Sequence, residues 1–258
     1  MGHSNADCQS YMQNQRQVCM YLSKQQTDKI NTAFKVLALR GVTVFGSSGD
    51  GGSHWSFEPF PSGSALGRDL NKIGCATTSP VYPTGSPYVT SVGGIDFSGG
   101  GGSSNPVAWS GSGGGFTWQF PRPAHQDDAV SAYLSSTAGL PTSASFNSTN
   151  RAYPDISAVS VEGTSQSSPQ VAGIFSLIMD HRLNSGLSPL GFLGPRIYQV
   201  ASKYPGEAFT DITDGNSKTT CDQGFPATKG WDPVTGFGSP KWDGLLKHFG
   251  SDGMVNAL

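Results

Sequence analysis

The residues that could do chemistry begin with Gly163-Thr164-Ser165-Gln166-Ser167-Ser168-Pro169, which run straight into Gln170-Val171-Ala172-Gly173-Ile174-Phe175-Ser176-Leu177-Ile178. Apolar side chains at Val171, Ile174, Phe175 and Ile178 recur at helical spacing, so a buried helix is predicted. Pro169 suits its first turn, where a missing N–H costs nothing. Ser165 is thereby set at or just before the helix N-terminus, beside unpaired N–H groups and the positive end of the helix dipole. A serine in that setting can act as the nucleophile of acyl transfer, because the developing oxyanion needs donors close by. The alternative is plain helix capping by Thr164 or Ser165.

Two further groups of residues carry carboxylates in glycine-rich turns. Asp50 lies in Gly46-Ser47-Ser48-Gly49-Asp50-Gly51-Gly52 and reads on its own as an Asx-turn residue. Asp211 and Asp232 lie in Asp211-Ile212-Thr213-Asp214-Gly215 and Lys229-Gly230-Trp231-Asp232-Pro233-Val234-Thr235-Gly236. Such a pair is either two turn residues or a site for a hard cation, which prefers carboxylate and carbonyl oxygens.

The elements that must position these residues follow a regular grammar. From Asp28, residues Ile30, Phe34 and Leu37, with Val36, mark a helix that Gly41 ends. Val42-Thr43-Val44-Phe45 then reads as a short buried strand opening onto the Asp50 loop. Helix, glycine, apolar strand and polar glycine loop is the pattern of a doubly wound sheet, where functional groups gather at the carboxyl ends of strands. Ser86-Pro87-Tyr88-Val89-Thr90-Ser91-Val92-Gly93-Gly94 gives a turn and another strand, and residues 53–80 read as an irregular surface region with an insertion around Ser62–Thr78. Gly99–Gly102 and Ser112-Gly113-Gly114-Gly115 read as glycine loops.

Composition limits the function classes. The 258 residues carry 13% charged residues, 35 glycines and a net charge of −2. That favours one loop-rich α/β domain over residues 1–258 and gives no electrostatic case for nucleic acid. No apolar run is long enough for a membrane span, and the first residues have no apolar core of a signal peptide. Cys8, Cys19, Cys75 and Cys221 lack the spacing of a zinc site. Cys8 and Cys19 could close a short loop, but spacing does not give the pairing. Asn147-Ser148-Thr149 is a glycosylation sequon, consistent with a secretory or lysosomal route. The five histidines are scattered, and surface or helix-end roles are expected for each.

Glycine-Thr164-Ser165 running into its apolar helix resembles the nucleophile signature of the sedolisins, the serine-carboxyl peptidases of the subtilisin-like superfamily. The likeness extends from about residue 20 to 250, in the family's order. It includes the strand with Ser48-Gly49-Asp50, Ser86–Gly94, Ser110–Gln126, Arg151-Ala152-Tyr153-Pro154-Asp155 and Gly230–Gly238. Leu190-Gly191-Phe192-Leu193-Gly194-Pro195-Arg196 is especially similar to the tripeptidyl-peptidase branch. The resemblance implies a subtilisin-like parallel sheet with helices on both faces, and an acid-acting peptidase forming an acyl-enzyme on Ser165. Asp50 is then the oxyanion-hole acid, which can donate only while neutral. Ser112, Gly113, Gly114 and Gly115 would border the specificity pocket and pair with substrate as an added strand. Calcium would be held in the loop region at about 205–240, by the Asp211 and Asp232 carboxylates and the Ile212, Thr228 and Gly230 carbonyls.

Two features depart from the family pattern. The family's serine works with a glutamate and an aspartate four residues apart on a helix upstream of Asp50, and only Asp7 and Asp28 precede Asp50 here. The expectation is therefore a fold incomplete on its N-terminal side, weak or inactive alone. A pro-segment or upstream chain would supply the acid pair to an enzyme acting on peptide or protein substrates. The alternative is a non-catalytic, calcium-binding homologue. The other departure is that only seven residues separate Asp155 from Gly163, where the family has a strand-turn-strand, and Glu162 stands where Ser or Gly usually precedes the nucleophile motif. A histidine-based subtilisin site finds no support, since none of the histidines sits in the expected helix-start motif.

Overall fold

The computed structural model describes residues 24–54, 72, 74–98, 105–161, 163–219 and 221–252. Cys8, Cys19, Gly99–Gly102, Glu162 and most of the Ser62–Thr78 insertion lie outside the described residues. In chain order the elements are α1 (Lys24–Leu39), β1 (Phe45–Ser47), β2 (Thr90–Phe97), β3 (Pro106–Ala108) and β4 (Gly115–Pro121). They continue with α2 (Asp127–Ser136), β5 (Asn150–Tyr153), β6 (Ile156–Val159), α3 (Thr164–Asn184) and α4 (Gly194–Lys203). Strands β7 (Phe209–Thr210) and β8 (Ser239–Pro240), helix α5 (Trp242–Phe249) and a 3-10 turn at Ala124–Gln126 before α2 complete the set among the described residues.

The main sheet is built around β2. Val92 pairs with Ser47 of β1 and with Ile156 of β6, while Ile95 pairs with Val159 of β6 and with Ala108 of β3. A strand has two edges, so β1 and β3 follow one another along one edge of β2 and β6 occupies the other. The β1–β2 and β2–β6 pairs are parallel, as expected, and the short β3 adds an antiparallel strand beside β2. β6 leads to α3 through a four-residue loop, the short connection that the seven residues after Asp155 anticipated.

Helix α3 is the principal packing element against this sheet. Its buried residues Ser167, Ser168, Val171, Phe175, Ile178 and Arg182 fall on one stripe, and Ile174 is only half-buried. Phe175 stacks on Phe45 of β1 at 5.7 Å and meets Phe249 of α5 edge-on at 5.5 Å. With Val92, Ile156 and Ala158 these side chains form one core. Each large buried side chain contributes about 1.5–3 kcal/mol of hydrophobic stabilisation. The helix begins at Thr164, so Pro169 stands in its second turn, not the first, and supplies no N–H to the Ser165 carbonyl four residues back.

Two expectations about burial are corrected. The strand predicted over Val42–Phe45 forms at Phe45–Ser47, is only half-buried, and leaves Val42 44% exposed. Its sole strand partner among the described residues is β2, so no strand among them pairs with its other edge. Helix α1 ends as predicted, with Gly41 at φ +79°, yet its apolar face is only half-buried and Leu39 is 79% exposed. His54 is buried outside any helix, contrary to the surface or helix-end role expected of it, while His248, buried against Tyr204 and Glu207, and His125, half-buried over Tyr198, stand in the last turns of their helices. A disulfide joins Cys75 to Cys221, a pairing that spacing did not reveal.

Candidate active site

β1 and β6 run parallel to β2, so their carboxyl ends open at the same end of the sheet, where this class of fold places its functional loops. The loop after β1 carries Asp50, and the loop after β6 leads into α3. They meet at Thr164. One oxygen of the Asp50 carboxyl, Oδ1, accepts the Thr164 backbone N–H at 2.7 Å and the Thr164 hydroxyl at 2.9 Å. The Thr164 hydroxyl in turn accepts the Gly49 N–H at 3.0 Å. The first free N–H of α3 is thus satisfied by a carboxyl brought from 114 residues away. Gly163, the cap residue, makes no side-chain cap, and neither Thr164 nor Ser165 is the cap that the alternative reading required.

Gly163 has to be glycine for two reasons. Its φ is +130°, outside the range of L side chains, and a Cβ there would stand 2.8 Å from Asp50 Oδ2. Its N–H donates to Ser160 Oγ at 3.1 Å, and the Val161 N–H donates to the Gln166 side chain at 3.0 Å, so the approach to the helix is fixed at both ends. Ser167 Oγ ties the first turn to the Ala158 carbonyl at the end of β6.

Ser165 is the second residue of α3 and is exposed. Its side chain stands at the positive end of a 21-residue helix, one position after the residue that grips Asp50. Among the described residues no carboxylate or imidazole is hydrogen-bonded to its hydroxyl. Asp50 Oδ2 likewise makes no hydrogen bond among them. An exposed serine at a helix N-terminus and a carboxyl with one anchored and one open oxygen therefore share a solvent-facing site.

Ser112, Gly113, Gly114 and Gly115 lie behind this loop and are all buried. The Gly113 N–H donates to the Gly49 carbonyl at 2.8 Å, and Ser112 Oγ donates to the Val234 carbonyl at 2.7 Å while accepting the Gly94 N–H at 3.0 Å. A Cβ on Gly113 would fall 2.1 Å from the Ser48 carbonyl oxygen, and one on Gly114 2.0 Å from that of Pro233. The run braces the Asp50 loop from within. Asn147 is half-buried in the turn before β5, its side-chain oxygen accepting the Thr149 N–H and hydroxyl.

The two C-terminal aspartates stand in adjoining loops. Asp211 Oδ2 accepts the Gly230 N–H at 2.8 Å, while its Oδ1 is buried without a hydrogen-bond partner. Asp232 is buried and accepts N–H groups of Thr228, Val234 and Thr235. Burial raises both acids, Asp211 above its ordinary value and Asp232 up to about 7, against the pull of those N–H donors. An orphaned carboxylate oxygen beside a buried acid is what a cation would satisfy, so the donor set fits calcium. No cluster of three or more His, Cys, Asp or Glu side chains among the described residues is arranged for a metal, so carbonyl oxygens must complete any such site.

One buried network was missed at the level of sequence. Asp155 pairs with Arg151 through two bonds of 2.9 and 2.7 Å, and both residues are almost fully enclosed. Asp155 also accepts the Ser91 N–H at 2.7 Å and the Tyr198 hydroxyl at 3.0 Å. Opposite charges four residues apart in an otherwise apolar string were the available signal.

No family model matches the chain. Tripeptidyl-peptidase 1 of Homo sapiens is 40% identical over 246 residues, which is 88% of this chain and 40% of that protein. The Mus musculus protein of the same name is 39% identical with the same coverage. The chain belongs to the sedolisin family. Among solved structures, Pseudomonas sedolisin, a serine-carboxyl proteinase complexed with two molecules of pseudo-iodotyrostatin, superposes with a TM-score of 0.65 at 24% identity. It covers 88% of this chain and 61% of that one, and shows the shared fold. The chain spans about 40% of the length of its curated sedolisin-type relatives.

Proposed function

We infer that this chain carries the nucleophile half of an acid-acting serine-carboxyl peptidase, of tripeptidyl-peptidase type. The observation that carries the reading is the junction of Asp50 with Thr164 beside exposed Ser165 at the α3 N-terminus. Ser165 Oγ attacks the scissile carbonyl of a peptide. The oxyanion accepts hydrogen bonds from the Ser165 N–H and from Asp50 Oδ2, which keeps its proton; the Ser165 hydroxyl proton passes to the general base and from it to the leaving amine, giving an acyl-enzyme that water hydrolyses. Ser112–Gly115 support the substrate cleft from behind by bracing the Asp50 loop. The general base is assigned to a carboxylate pair on a pro-segment or upstream chain, for which the edge of β1 that no strand pairs with among the described residues is a natural point of attachment.

Calcium is the cofactor this reading assigns to Asp211 and Asp232 with the carbonyls of Ile212, Thr228 and Gly230. Its chemistry there would be neutralisation of one buried and one half-buried carboxylate, which would hold the 205–240 loops together. A lysosomal or secreted setting, with a glycan on Asn147, fits acid-range chemistry and the Cys75–Cys221 disulfide. In the described residues no helix is long and apolar enough to cross a membrane.

The test is release of a fluorophore from a tripeptidyl substrate at about pH 4, within the carboxyl ionisation range, by this chain and by Ser165→Ala. Turnover lost in the variant supports the peptidase. A folded chain with no Ser165-dependent turnover, even with an added chain bearing Glu-x-x-x-Asp, supports instead the non-catalytic calcium-binding reading. That reading is favoured by the Ser165 hydroxyl having no base bonded to it among the described residues.

A further inference from the structure

We propose that Thr164 is a positioning residue that places the Asp50 proton on Oδ2, the open oxygen of the site; this rests on the peptidase reading above. The direction of each hydrogen bond is settled by what the groups can do. A hydroxyl has one proton to give and can accept as well. The Gly49 N–H can only donate, and it does so to Thr164 Oγ1 at 3.0 Å. The hydroxyl proton then goes to Asp50 Oδ1 at 2.9 Å. The Thr164 N–H, also only a donor, reaches the same Oδ1 at 2.7 Å. Oδ1 therefore accepts twice and has no need of a proton of its own, so a neutral Asp50 carries its proton on Oδ2.

Oδ2 is the oxygen that a Gly163 Cβ would approach to 2.8 Å, so the glycine keeps space beside it. Thr164 itself is fully buried and cannot touch substrate. It acts through Asp50 alone. By the same bonds it links the Gly49–Asp50 turn to the helix that carries Ser165, which fixes the distance between donor and nucleophile. Valine has the shape of threonine but neither accepts nor donates, and serine keeps the hydroxyl.

The experiment compares Thr164→Val, Thr164→Ser and the parent chain. Hydrogen exchange at the Gly49 amide reads the anchoring. Thr164→Val is expected to exchange at least about tenfold faster there, with thermal unfolding recording whether the fold persists, while Thr164→Ser keeps the protection. Tripeptidyl turnover reads the catalytic consequence. Thr164→Val is expected to lower kcat by about ten- to hundredfold, less than the loss of an oxyanion donor itself. KM should be unchanged and Thr164→Ser should recover the rate. Parent-like Gly49 protection and kcat in a folded Thr164→Val variant, or failure of Thr164→Ser to rescue, overturns the proposal. Absence of Ser165-dependent turnover overturns the peptidase reading and the catalytic part with it, while Gly49 exchange still decides the anchoring.

Discussion

Removing the Asp155 carboxyl should cost this protein more stability than any surface change. The carboxylate is enclosed and pairs with an equally enclosed Arg151, and in Asp155→Ala the guanidinium remains buried without its counter-charge. Breaking a buried pair from one side costs about 3–5 kcal/mol. The Ser91 N–H and Tyr198 hydroxyl lose their acceptor in the same step, so the upper part of that range applies. Against a typical total of about 5–15 kcal/mol, this is a third or more of the stability. At about 2–4 °C per kcal/mol for a chain of this size, the midpoint should fall by about 6–20 °C.

The assay is thermal unfolding at neutral pH, followed by circular dichroism and calorimetry. The reasoning also says which variant should be milder. Arg151→Met combined with Asp155→Leu removes both charges, and apolar replacement of a buried pair is often neutral. The double variant should therefore be more stable than Asp155→Ala. A fall under about 3 °C for Asp155→Ala would refute the view that the pair is structurally costly to break. A double variant as unstable as the single would move the cost to the Tyr198 and Ser91 donors.

Three further outcomes are expected. Burial holds His54 down to about 4 from its ordinary 6.5, so the unfolded chain takes up that proton first and stability falls as pH drops through this window. The loss is roughly 3 kcal/mol at the lower end, and urea midpoints at pH 7, 5 and 4 should fall less in His54→Gln than in the parent; equal falls would refute the assignment. Burial pushes Asp232 up to about 7, so protons compete with a cation there, and calcium should raise the midpoint more at pH 7 than at pH 5. A chelator without effect at pH 7 would count against the cation site. The Cys75–Cys221 bond closes 146 residues of sequence, so serine at both positions should cost roughly 2–5 kcal/mol by urea unfolding, and an unchanged midpoint would show that the loops hold without it.

Much of the site was readable in the chain because its parts are local. The period of Val171, Phe175 and Ile178 gave α3, and the glycine-framed strings gave the Asp50 loop and the Asp211 and Asp232 turns. What could not be read depends on contacts between distant segments. The role of Thr164 rests on an acid 114 residues away, the carboxyl that takes the first N–H of the helix, and Cys75 finds Cys221 only through the fold. Propensity marked Val42–Phe45 as a buried strand, but burial depends on a neighbour on both edges, and β1 has one among the described residues. His54 read as a surface residue because a lone imidazole in a polar string carries no sign of enclosure.

The C-terminal loops and the Asp50 turn, far apart in sequence, are mechanically one unit. The loop that holds Asp232 is wedged between Ser112, which donates to the Val234 carbonyl, and Asp155, whose carbonyl accepts the Phe237 N–H at 3.0 Å. Gly113, next to Ser112, donates to the Gly49 carbonyl, and Gly49 donates to Thr164. From the other side, the Ser53 N–H donates to the Ser217 carbonyl, their hydroxyls pair at 3.0 Å, and Thr219 Oγ1 donates to the Gly51 carbonyl at 2.9 Å. Cys221 closes that second path with its disulfide. The Asp50 turn is thus held at Gly49 from the Asp232 loop and at Gly51 and Ser53 from the disulfide loop. Stiffening of the Asp232 loop would therefore reach the Asp50 turn through Ser112 and Gly113, the latter so close to the Ser48 carbonyl that a Cβ would fall 2.1 Å from its oxygen.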